Sequence, residues 1–149
     1  MSFQRILYVA HDHLNKTRGV LKNANPNTDA IVLVESARMT SGRAWHPERL
    51  YFLISAARHF AAELRSAGFT VIYEKAPTTI DGLKAIKKLY PDASVVCAEP
   101  SSFKQYEALK EYGVSFVDND LFLTSRKDFA SWAGSQKSFL MENFYRAQR

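Results

Sequence analysis

The amino-acid sequence predicts an α/β fold: a three-layer domain with a five-stranded parallel sheet, followed by a helical C-terminal tail. Five short apolar runs have the length and composition of buried strands. Segments with apolar residues every three or four positions separate these runs and are typical of helices. No change of composition interrupts the alternation, so we expect one domain over residues 1–120 and a tail over residues 121–149.

The longest helical segment organises the prediction. It begins at Pro47, which suits the first turn of a helix, and ends before Gly68, which suits the left-handed position after a helix. Strand-like runs precede it at Ala30–Val34 and follow it at Thr70–Lys75. This order predicts a βαβ unit with a right-handed crossover between parallel strands.

The remaining elements follow in chain order. Further strands are predicted at Arg5–Ala10, Ser94–Ala98 and Val114–Val117. Helices are predicted weakly at Lys16–Ala24, from a cap near Thr78 through Leu89, from Phe103 to Gly113, and in the tail at Arg126–Trp132 and Ser138–Arg146. We interpret Ser36–Arg43 as a loop that is longer than a simple connection requires.

Composition narrows the classes of protein. The net charge of +5 and pI near 9.4 favour anionic partners, but the basic residues are spread along the chain, which favours a solvated basic surface over direct DNA binding by this domain. The N-terminal residues are followed directly by a predicted strand and lack the separate apolar region and cleavage site of a secretory leader. No apolar run reaches the length of a membrane span. We therefore expect a cytoplasmic protein.

Common catalytic and binding motifs are missing from the sequence. It contains neither the glycine-rich dinucleotide fingerprint nor a P-loop, and no zinc-protease or nucleophile-elbow motif. The single cysteine, Cys97, lies in a predicted strand and excludes an internal disulfide or an iron–sulfur cluster held by this chain alone. His11 and His13 alternate on a backbone that we interpret as extended, so they would not bind one metal ion together.

Three carboxylates, Asp12, Glu35 and Glu99, each follow a predicted strand. Because the carboxyl ends of parallel strands meet at one edge of a sheet, these side chains are expected at the same edge, where ligands bind in open α/β sheets. Two interpretations remain open. The carboxylates either cap helices and solvate strand ends, or they accept hydrogen bonds from a polar ligand.

Several segments together resemble one known family. Asp12-His13-Leu14-Asn15 follows the first strand, Ser55–Ala61 lies in the long helix, and Glu99-Pro100 follows the fourth strand. The tail adds Phe122–Arg126, Phe129, Gly134, Lys137 and Leu140–Arg146. This set resembles the N-terminal domain of photolyase-related proteins, the bacterial photolyases and cryptochromes that carry an iron–sulfur cluster. The resemblance covers nearly all of this chain but only about the first third of a family member.

The resemblance implies a Rossmann-like antenna domain that binds 6,7-dimethyl-8-ribityllumazine. The implied cofactor-binding residues are Asp12, His13, Leu14, Glu35 and Ser36. FAD, the 4Fe-4S cluster and the DNA contacts would belong to a helical photolyase domain, in cis or in trans, so this chain would have no catalytic residues. His11 stands where the family usually has glycine, so a ligand has less space to approach the backbone there. His13 stands where the family has glutamine, which keeps a hydrogen-bonding side chain but changes how far it extends.

Two other functions are compatible with the sequence. One is a stand-alone nucleotide-binding protein that resembles universal stress proteins and has no light function. The other is an interaction domain whose apolar tail docks a partner and whose sheet edge binds nothing.

Overall fold

A computed structural model of the chain describes residues 2–42 and 44–149. Five strands form one sheet: β1 (Arg5–Tyr8), β2 (Asp29–Ser36), β3 (Thr70–Ala76), β4 (Ser94–Ala98) and β5 (Ser115–Val117). The strand order is β3-β2-β1-β4-β5, and every pair is parallel. The predicted α/β class and five-stranded parallel sheet are therefore confirmed.

Helices cover both faces of the sheet. The helices of the sheet unit are α1 (Ala37–Ser41), α2 (Pro47–Ser66), α3 (Thr79–Leu89) and α4 (Phe103–Glu111). Alternate strand residues divide between two apolar layers, so that Leu7 packs with residues of α2 whereas Ile6 packs with residues of α3 and α4. This arrangement gives the three predicted layers. The helices cover the faces of the sheet and not the ends of its strands.

The long helix has the predicted ends. Pro47 lies in its first turn after an extended residue at His46, and Gly68 adopts a φ of +89°, in the left-handed region. Its buried face consists of Ala57, Phe60, Ala61 and Leu64.

Two predicted elements were wrong. The helix expected at Lys16–Ala24 is only a 3-10 turn at Gly19–Leu21, because Gly19 has a φ of +60° and a Cβ there would lie 3.3 Å from the Ala98 Cβ. The loop expected after the second strand contains α1, because the Ser36 hydroxyl accepts a hydrogen bond from the Met39 N–H at 3.2 Å and starts a helix. The last residue of that predicted loop, Arg43, lies outside the described residues.

The chain divides into two compact units, a sheet unit that ends at Asn119 and a C-terminal unit, Asp120–Arg149. The C-terminal unit contains α5 (Arg126–Ala133) and α6 (Met141–Ala147). The second tail helix begins three residues later than predicted, because Leu140 has an extended backbone. Across the described part of the chain, no helix combines the length and apolar character needed to cross a membrane.

Candidate ligand site at the carboxyl edge of the sheet

The topology places the ends of β1, β2 and β4 side by side. These strands are neighbours in the sheet, with Leu7 opposite both Ile31 and Val96. Since all strands run in the same direction, the segments that follow them share one edge, the carboxyl edge. Asp12 follows β1, Glu35 is the penultimate residue of β2, and Glu99 follows β4.

Glu35 accepts hydrogen bonds from the side chains of two neighbouring elements. Arg58 of α2 donates to Glu35 Oε2 through Nε at 3.1 Å and through Nη2 at 2.8 Å, and to Oε1 through Nη2 at 3.0 Å. The Tyr73 hydroxyl of β3 donates to Oε2 at 2.8 Å, and Lys75 Nζ lies 4.0 Å from Oε1. A carboxylate offers about four lone-pair positions, two on each oxygen, so Oε2 is fully engaged, whereas Oε1 accepts one hydrogen bond, from Arg58.

The electrostatics agree with an ionised Glu35. Burial acts to raise the pKa of its carboxyl, but the hydrogen bonds from Tyr73 and Arg58 and the positive charges of Arg58 and Lys75 outweigh it, so the pKa is lowered. Burial, followed by the hydrogen bond to Glu35, raises the pKa of Tyr73 to about 12. The tyrosine is therefore a neutral hydrogen-bond donor at physiological pH.

A surface depression adjoins this cluster through Arg58. It has a volume of about 490 Å³, which is within the range of about 300 to 1,000 Å³ for small-molecule sites. Its lining comes from one stretch of α2: Tyr51, Ile54, Ser55, Arg58 and His59. The sequence alone gave no ligand-binding role to Tyr51 or His59. The lining residues follow one another at intervals of three or four positions, and this spacing was the sequence signal that they share one helix face.

The segment after β1 is a turn and not the extended backbone that we predicted from the sequence. The His13 N–H donates to the Ala10 carbonyl at 2.9 Å, which reverses the chain at His11 and Asp12. The Asp12 side chain is exposed, whereas the His13 side chain is buried.

Asn119 ties His13 to the end of β4. Its Nδ2 lies 3.2 Å from His13 Nε2 and donates to the Glu99 carbonyl at 2.9 Å. With Nδ2 as the donor, His13 Nε2 acts as the acceptor. No sequence motif marks Asn119, which is 106 residues away from His13 in the chain.

Two of the predicted cofactor residues have structural contacts. Leu14 is partly buried and packs against the apolar layer that contains α2. Ser36 is buried, and its hydroxyl caps α1. Asp12 and Glu35 lie at the carboxyl edge as expected, but Glu35 Oε2 is already engaged by Arg58 and Tyr73.

Comparison with known proteins identifies the family. The family model described as "Deoxyribodipyrimidine photo-lyase-related protein" matches residues 7–149. The chain belongs to this photolyase-related family. A curated relative, the "(6-4) photolyase" of Agrobacterium fabrum (strain C58 / ATCC 33970), is 29% identical over 158 aligned positions, which cover 97% of this chain and 31% of the relative. The chain thus spans less than a third of that photolyase.

This photolyase-related chain does not itself fit an iron–sulfur cluster. Cys97 is its single cysteine and is buried in β4, where burial raises the pKa of the thiol to about 12. Among residues 2–42 and 44–149, no group of three histidine, cysteine, aspartate or glutamate side chains is arranged to hold a metal ion.

Proposed function

We propose that this chain is the antenna domain of a photolyase-related protein and binds 6,7-dimethyl-8-ribityllumazine at the carboxyl edge of its sheet. When bound, the chromophore would absorb light and pass the excitation energy to a flavin. FAD and the 4Fe-4S cluster would be held by a helical photolyase domain, in cis or in trans, and DNA would be contacted through that domain. The observation that carries the proposal is the family match over residues 7–149, together with the 31% share of a (6-4) photolyase that the chain spans.

The residues of the edge suit a polar ring with a hydroxylated chain. The Asp12 carboxylate is exposed and supplies acceptors for hydroxyl groups. Arg58 supplies donors for ring carbonyls, because its contacts with Glu35 use Nε and Nη2 and leave Nη1 out. Tyr51 and Ile54 add apolar surface beside Arg58. In this arrangement Glu35 acts mainly by fixing the direction of the Arg58 guanidinium.

A fluorescence titration of the 149-residue chain with the lumazine tests the proposal. We expect saturable binding that is weakened by Asp12→Ala and by Glu35→Ala, since the first removes an acceptor and the second releases Arg58 and Tyr73. Asp92→Ala is the matched control, because Asp92 is exposed and precedes β4, at the opposite edge of the sheet. Circular dichroism of each variant verifies that the sheet unit is folded.

The competitors distinguish the alternative functions. Binding of ATP without lumazine would replace the antenna role by the nucleotide-binding alternative. A folded chain that binds neither compound and self-associates with rising concentration would instead favour an interaction domain. Displacement of the lumazine by riboflavin would show that the site recognises the fused dione ring and the ribityl chain that the two compounds share.

A further inference from the structure

Asn119 lies between the segments that follow β1 and β4. The strand order reverses between these two strands, and ligands of open α/β sheets bind in the crevice at such a switch point. In this chain, Asn119 Nδ2 donates to the Glu99 carbonyl at 2.9 Å and lies 3.2 Å from His13 Nε2. The protein therefore joins the two segments at the switch point with a side chain of its own.

The Glu99 carbonyl determines the orientation of the Asn119 amide. A carbonyl oxygen only accepts hydrogen bonds, so it faces the NH₂ group of the amide and not Oδ1. The NH₂ group has a second N–H, which is donated to His13 Nε2. An imidazole nitrogen that accepts a hydrogen bond carries no proton, so the proton of the His13 ring is on Nδ1.

The tautomer of His13 affects Asp12. Asp12 Oδ2 lies 3.9 Å from His13 Nε2. While the proton is on Nδ1, both atoms are acceptors, and no hydrogen bond forms between them. With the proton on Nε2, the ring would donate to the carboxylate, and a hydrogen bond of ordinary length would draw Oδ2 about 1 Å closer. Asp12 would then turn from the exposed edge towards the ring, whose side chain is only 7% exposed.

We propose that Asn119 is a positioning residue for the ligand: it holds His13 in the Nδ1–H tautomer and so keeps the Asp12 carboxylate available to the hydroxyl groups of the ligand. The inference rests on the proposed function, because Asp12 is the acceptor that the proposed site offers to the hydroxylated chain. Asn119 acts through His13 and needs no contact with the ligand.

The ring nitrogens of His13 report the tautomer directly. Nitrogen-15 NMR of the ligand-free chain, recorded at mildly alkaline pH where imidazoles are neutral, should show an unprotonated Nε2. In Asn119→Ala the donor to Nε2 is lost, so the proton should move to Nε2 and bond to Asp12. A proton on Nε2 in the unmodified chain, or an Nδ1–H tautomer that persists in the variant, would overturn the proposal.

Lumazine titrations test the effect on the ligand. Asn119→Ala should weaken binding about tenfold, because the ligand then competes with His13 for Asp12. Asn27→Ala is the matched control and should bind like the unmodified chain, since Asn27 is exposed and precedes β2, at the opposite edge of the sheet. Circular dichroism of each variant verifies that it is folded.

A double variant separates the tautomer from a general effect on the fold. His13→Phe removes both ring nitrogens, so position 13 then has no donor that competes for Asp12, with or without Asn119. The double variant His13→Phe/Asn119→Ala should therefore bind lumazine within about threefold of the unmodified chain, although it carries one more substitution than Asn119→Ala. A merely structural role of Asn119 predicts the opposite, a double variant that binds at least as weakly as Asn119→Ala.

The outcomes distinguish this inference from the antenna proposal. Equal lumazine affinity of Asn119→Ala and the unmodified chain would overturn the role of Asn119 and leave the antenna proposal intact. A loss in Asn119→Ala that His13→Phe does not restore would have the same meaning. Failure of the folded, unmodified chain to bind lumazine would overturn both.

Discussion

The two units of the chain bury their apolar side chains to very different extents. In the sheet unit, two continuous apolar layers enclose the strands, and Ile31 and Leu33 are fully buried. In the C-terminal unit, Phe144 is the one buried apolar residue, and it contacts Phe129 and Trp132. The unit leaves eight large apolar side chains exposed: Leu121, Phe122, Leu123, Phe129, Phe139, Leu140, Met141 and Tyr145.

Because of this difference, apolar side chains should contribute more to stability in the sheet unit than in the C-terminal unit. Helices α5 and α6 form from local signals, since α5 begins with a complete capping box at Ser125 and Asp128. Local signals stabilise a short helix only marginally, because most helix stability in proteins comes from burial. Substitutions should therefore affect stability strongly in the sheet unit and weakly in the C-terminal unit.

The largest contrast is expected between two leucines. Leu33 is 0% exposed and Leu123 is fully exposed. Leu33→Ala should lower the free energy of unfolding by about 4 kcal/mol, because it leaves a cavity between β2 and α2. Leu123→Ala should change it by less than about 0.5 kcal/mol. Urea unfolding followed by circular dichroism measures both, and comparable losses would mean that Leu123 is covered in the folded chain.

A second contrast uses two ion pairs of the same length. Arg5 and Asp29 lie 2.6 Å apart with the Asp29 side chain 0% exposed, whereas Arg146 and Glu142 lie 2.6 Å apart with both side chains more than 70% exposed. Asp29→Ala removes the carboxylate that accepts from the Arg5 guanidinium and from the Asn25 N–H, and leaves Arg5 with the Asn23 carbonyl as its acceptor. We expect a loss of about 3 kcal/mol, at the low end for a buried pair because Arg5 is partly exposed.

The exposed pair serves as the control for that experiment. Glu142→Ala should have no measurable effect on urea unfolding, because solvent screens the charges of Arg146 and Glu142. A clear loss in this variant would show that α6 is less accessible to water than its exposed side chains indicate.

Acid should destabilise the sheet unit. Burial acts to raise the pKa of Asp29, but the hydrogen bonds from Arg5 and Asn25 and the charge of Arg5 lower it overall, and the pKa of Glu35 is lowered in the same way. Both carboxylates thus contribute stability that is complete above their usual pKa values of 3.8 and 4.5 and is lost as the pH falls through their lower folded values.

Melting curves between neutral pH and about pH 2 measure this dependence. The melting temperature should fall below about pH 4.5, and Asp29→Asn and Glu35→Gln should each make the fall shallower, since the variants carry no titrating carboxyl at those positions. An unchanged slope in both variants would mean that other acidic groups control acid unfolding.

Local signals in the sequence were sufficient for most of the fold. The limits of β4 were predicted residue for residue, and Thr78 caps α3 as expected, because strand composition and capping are properties of neighbouring residues. The Gly19 turn was missed because its cause is the approach of Ala98, a contact across the fold.

The site was less predictable than the fold, for the same reason. The position of Glu35 at the carboxyl edge was predicted correctly from the end of its strand. Its contact with Tyr73, in contrast, depends on strand register, since Tyr73 pairs with Leu33, two residues before Glu35 on the same face of the sheet. The position of Arg58 depends in addition on the packing of α2 against that face. Neither register nor packing can be read from one sequence.

The smallest contrast compares two helix caps with equal geometry. The hydroxyls of Ser125 and Thr78 each accept a hydrogen bond of 3.1 Å from the backbone N–H three residues later. Removing either cap with alanine should reduce helix stability by about 1 kcal/mol.

The consequence of that equal loss should differ between the units. Helix α3 buries Leu83 and Ile86, so Thr78→Ala should keep α3 folded and lower only the global stability. Helix α5 has no buried residue, so Ser125→Ala should fray it, with faster amide hydrogen exchange over Arg126–Ala133. If exchange in α5 were instead as slow in Ser125→Ala as in the unmodified chain, contacts of its exposed apolar side chains, and not its cap, would hold the helix.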